Sequence, residues 1–90
     1  MNHQEKEAAF RERFAACWRE IGQPDTEGLF VLADVHGENF DYTGAEVCGM
    51  PIIEVDHMIG NQEIAIGTAY SMMSYIPMKF ADAWEASEEP

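Results

Sequence analysis

The most restrictive feature of the chain is an apolar stripe near its start that stops abruptly. Phe10, Phe14, Cys17, Trp18 and Ile21 follow i, i+4, i+7, i+8, i+11 spacing, so a helix over about Gln4–Ile21 places them on one face. Glu5 and Glu7 lie at the positive end of that helix's dipole and Arg19 at the negative end. Gly22 and Pro24 then terminate it. A stripe of this kind must bury itself against something, and the remaining chain offers mostly strands.

Gly28 to Val35 reads as a strand, apolar at every position until Asp34, and this predicts a central strand covered on both faces. His36 to Gly44 reads as a turn or wide hairpin, followed by a short strand over 45–48. Pro51–Met58 and Gln62–Tyr70 read as a hairpin closed by Gly60-Asn61 in a type II′ turn. That register pairs Met58 with Glu63, His57 with Ile64, Val55 with Ile66 and Ile53 with Thr68. It gathers Ile53, Val55, His57, Ile64 and Ile66 on one face and Glu54, Asp56 and Glu63 on the other. Pro77 is expected to open a short second helix carrying Phe80, Ala81 and Trp84.

The expected fold is therefore a single α+β domain over residues 1–90. A long N-terminal helix (1–22) packs on a three- to four-stranded antiparallel sheet (28–70), a short C-terminal helix covers 77–86, and 87–90 fray. Ninety residues bury roughly 60–65% of the unfolded surface, enough for one core.

Charge narrows the function. Thirteen of the seventeen carboxylates follow residue 22, accompanied by Lys79 as their one cation, while the first 22 residues are formally neutral. The net charge of −12 thus belongs to residues 23–90. Such a body repels nucleic-acid phosphate and anionic lipid, which excludes direct nucleic-acid binding and membrane-surface attachment as expectations. Two cysteines, Cys17 and Cys48, do not make a disulfide framework. There is no leader-like N-terminus and no run of 18 apolar residues, so a cytoplasmic setting is expected.

Four sites for chemistry or binding suggest themselves. Asp34-Val35-His36-Gly37-Glu38-Asn39 resembles the first metal-binding block of calcineurin-like metallophosphoesterases, and Gly60-Asn61-Gln62-Glu63 resembles that family's Gly-Asn-His-Glu block. The resemblance implies a divalent metal and a small metal-dependent hydrolase. Against it, the middle Gly-Asp block is missing and Gln62 stands where the imidazole is needed. A looser set, Asp34, His36, Asp56 and His57, is divided by the strand alternation of its last two members. Neither a nucleophile elbow nor a phosphate-cradling loop is present, so no catalytic residue, metal or cofactor is assigned. His57 is expected as a core-face or rim histidine.

Gly49 to Ile53, Met58 and Ile64 to Gly67 look like the sheet near the end of tailed-phage major capsid proteins, which implies a structural, self-assembling subunit. The third site is the acidic face itself. Asp34, Glu38, Asp41, Glu46, Glu54, Asp56 and Glu63 form an expected surface for a basic, nucleic-acid-binding partner protein. In size and charge alone the chain is similar to acidic anti-restriction and anti-CRISPR inhibitors carried by phages and plasmids. The alternative is a homodimer or larger assembly through an apolar patch of Met58, Met72, Met73 and Tyr75, all expected near the surface.

Overall fold

A computed structural model describes residues 2–37, 46–58 and 62–88. Helix α1 spans His3–Glu20, with Asn2 as its N-cap accepting the Glu5 amide at 2.8 Å. It ends where expected: Gly22 adopts φ 96° and the Gln23 amide closes onto the Trp18 carbonyl at 2.9 Å. Strands β1 (Leu29–Asp34), β2 (Glu46–Val47), β3 (Met50–Val55) and β4 (Ile64–Thr68) follow. A single 3₁₀ turn at Ser71–Met73 leads into α2, Tyr75–Ala86. The fold is α+β, as the stripe and strand segments require.

The sheet is ordered β2-β3-β1-β4, and its pairings revise the expected topology. β1 runs parallel to β3, with Val31 opposite Ile52, and antiparallel to β4, with Val31 opposite Ile66. The two segments expected to form a hairpin are therefore separated by β1. The reason lies in hydrophobicity: Leu29, Val31 and Ala33 are all but fully buried, and the most apolar strand takes the position with two partners. The hairpin that does form joins β2 to β3, with Glu46 opposite Pro51 and Val47 opposite Met50. Its two-residue loop has Cys48 at φ 52° and Gly49 at φ 82°, the two positive values that a type I′ turn demands. Gly60-Asn61, the expected turn, lies outside the described residues.

Both helices lie on one side of the sheet. Phe10, Phe14, Cys17 and Trp18 of α1 share one core with Ile76, Phe80, Ala83 and Trp84 of α2 and with the inward residues of β1 and β4. The helices meet through aromatic rings: Phe14 and Phe80 centroids are 4.7 Å apart, and Phe10 meets Trp84 edge-on at 5.7 Å. Arg13 lies over the Trp84 ring at 3.7 Å, donates to the Trp84 carbonyl at 2.7 Å and reaches Glu88 at 3.3 Å. It also donates to the Ser87 hydroxyl, so it gathers the acceptors at the negative end of α2. Of the segment expected to fray, 87–90, Ser87 and Glu88 are exposed and contact Arg13, while Glu89 and Pro90 lie outside the described residues. Pro77 is the third residue of α2 rather than its first, a position where its missing N–H still has no intrahelical acceptor to lose.

Candidate functional site

The register decides which carboxylates can act together. On β1, Asp34 pairs with Val55 of β3, and its amide donates to the Glu63 carbonyl at 2.9 Å on the β4 side. Asp34, the last residue of β1, Asp56, just past β3, and Glu63, just before β4, therefore form a row at one end of the sheet. The Asp34 carboxylate also accepts the His36 amide at 2.9 Å, turning the chain so that the His36 Nε2 lies 3.0 Å from an Asp56 oxygen. Both side chains of that pair are open to water, at 73% and 91% exposure, so solvent screens the contact strongly. Close by, Gly37 packs its backbone against the Glu63 side chain, where an added Cβ would sit 2.9 Å from it.

The rest of the expected acidic face disperses. Glu54 pairs with Ala33, whose side chain is in the core, so Glu54 belongs to the helix side while Glu63, one residue before buried Ile64, belongs to the other. The common face foreseen for Glu54, Asp56 and Glu63 depended on the hairpin and is not formed. Glu46 sits beside Pro51 at the opposite end of β3, about 13 Å along the strand from Val55. Its carbonyl accepts Arg11 Nη1 at 2.8 Å, which ties β2 to α1. Glu38 and Asp41 lie outside the described residues.

The apolar patch is also redrawn. Met58 is buried and Met73 half-buried against the core, so neither forms a free surface. Met72 and Tyr75 do, at 83% and 56% exposure, joined by Met78 and Tyr70. His57, expected on the core face, is exposed because β3 ends at Val55. Among the described residues, no three His, Cys, Asp or Glu side chains are grouped as metal ligands. Burial pushes the Cys48 thiol up, against the opposing pull of Arg11 and Arg19, which is the reverse of an activated thiolate.

One surface escaped the sequence reading. Opposite the helices, the sheet shows Phe30 and Leu32 of β1, Ile53 and Val55 of β3, and Ala65 and Gly67 of β4. The Phe30 ring lies across Gly67, where a Cβ would come within 2.1 Å of it. Ile53 and Val55 were expected inside and Phe30 and Leu32 under a second covering layer; instead all are half-buried or exposed, Ile53 at 44%. The available signal was the number of helices, since two helices joined at one core supply a single layer.

Comparison with models of known protein families, with curated proteins and with solved structures found no match. Among the described residues, no helix is long and apolar enough to cross a membrane.

Proposed function

We propose that the chain is a non-catalytic protein-binding module, an inhibitor in type, whose acidic sheet end engages a basic partner that itself handles nucleic acid. The supporting observation is the row Asp56, Asp34 and Glu63 on a sheet without a single Lys or Arg, since no cation occurs between Arg19 and Lys79. Carboxylates so placed offer a cationic surface what phosphates would offer it, and they speed encounter through long-range attraction.

Reversing Asp34, Asp56 and Glu63 to Lys together should abolish capture of partners from a cell lysate at low salt. Raising the salt to about 0.5 M should weaken capture by the native chain, because screening then acts within a few ångströms. Reversal of Glu46 or Glu54, which stand apart from the row, should matter much less. Capture indifferent to both the triple reversal and salt would sink this reading.

A second reading has its own observation. Met72, Tyr75 and Met78 expose apolar surface around the start of α2, the sort of patch through which copies self-associate. A mass that rises with concentration in light scattering, and returns to the monomer value on Met72→Lys, would favour the assembling subunit.

A further inference from the structure

β4 closes one side of the sheet, and among the described residues its backbone is only half used. The Glu63 carbonyl bonds Asp34 and the Ala69 amide bonds the Gly28 carbonyl at 2.8 Å, so residues 63, 65, 67 and 69 direct their backbone groups toward β1. By the alternation of an antiparallel ladder, the N–H and C=O groups of Ile64, Ile66 and Thr68 point the other way. β1 is the sole sheet neighbour of β4 among the described residues, so nothing there pairs them.

The two edges of the sheet differ in how they are protected. On the far side β2 is two residues long, and β3 carries Pro51 opposite it and Glu54 past its end. Short strands, prolines and charges are the ordinary means of blocking edge pairing. β4 has none of them: Ile64-Ala65-Ile66-Gly67-Thr68 contains no charge and no proline.

We infer that the β4 edge receives an extended basic segment of the partner protein as a fifth strand of the sheet. The inference rests on the charge reading above and names the mode of recognition. A strand added here places alternate side chains on the open face beside Ala65 and the Phe30 ring, which lies across Gly67. Its residue beside Glu63 meets the acidic row. Charge selects the occupant: a second copy would set two cation-free sheets of net −12 chains edge to edge, whereas a segment bearing Lys or Arg is complementary.

Three nine-residue probes test this: alternating Lys and Val, the same peptide N-methylated at its three central residues, and alternating Glu and Val. The readout is amide hydrogen exchange by NMR at Ile64, Ile66 and Thr68, with Val31 as an internal control. The Lys–Val peptide should slow exchange at those three amides by about tenfold or more, and the other two should not. Binding of the N-methylated peptide as tight as that of its parent would overturn strand addition while leaving the acidic surface standing. Equal slowing by the Glu–Val peptide would overturn the basic occupant and the charge reading with it, but not the open edge. No slowing with any probe at millimolar concentration also overturns the inference. So does protection of the same amides that grows with protein concentration alone, which would assign the edge to a second copy.

Discussion

The two faces of the sheet are built to different standards. On the helix side, β1 and β4 bury Leu29, Val31, Ala33, Ile64 and Ile66 beneath a layer of interlocked aromatics. On the other side, the same strands present Phe30, Leu32, Ala65 and Gly67, with neither α1 nor α2 over them. All five Lys and Arg residues belong to the two helices and none to the sheet. The helical layer thus carries the packing energy and the cations, and the open layer carries an apolar strip ended by carboxylates. Stability and recognition are therefore expected to separate by face: substitutions on one side should unfold the chain, and on the other they should alter what it holds.

The sharpest check is Phe14→Ala. Phe14 has no exposure and touches the rings of Phe10, Trp18, Phe80 and Trp84. Removing a ring from such a site costs about 3–5 kcal/mol, much of the stability that a chain of this length possesses. Urea unfolding should show the midpoint collapse or the native baseline vanish. Next in size is Arg13→Met, which keeps the stem over Trp84 but deletes the guanidinium that holds the end of α2. A loss of about 1–2 kcal/mol is expected, with exchange quickening selectively at the last turn of α2. An even loss across the whole molecule would show instead that α2 has no separate anchor.

The asymmetry of faces also marks where the sequence could be read and where it could not. The helix stripe from Phe10 to Ile21 was legible because its spacing and stop signals are local. β1 was legible as central because its run of apolar residues has no polar alternation. The partners of β1 were not legible. Residues 51–58 and 62–70 have compatible alternation and a plausible turn between them, yet pairing is a competition, and β1 outbids either segment's claim on the other by burying more. Once β1 enters between them, the parity that had joined Glu54 to Glu63 places them on opposite sides. Asp34, Asp56 and Glu63 come to one end of the sheet through contacts that no local pattern announces, the Asp34 amide on the Glu63 carbonyl and His36 turned back to Asp56. Met58 shows the same limit, because no local pattern reveals that this methionine is buried while Met72 is not.

The smallest effect expected is also the one that most directly probes the open face. Ile53 is the cross-strand neighbour of Leu32 and retains 44% of its exposure, so Ile53→Lys removes little buried area and gives the new ammonium immediate access to water. Its stem still covers Leu32. A change within about 1 kcal/mol follows, a few degrees at most in the melting temperature of a chain this size. The substitution nevertheless interrupts the apolar strip between Val55 and Pro51 and sets a cation near the acidic row. Binding of an apolar dye to the folded protein should therefore fall, and capture of a basic partner should fall with it, while the Phe14 core stays intact. If Ile53→Lys instead unfolds the chain as readily as Phe14→Ala, the face is covered rather than open, and the division of labour between the two sides of the sheet is lost.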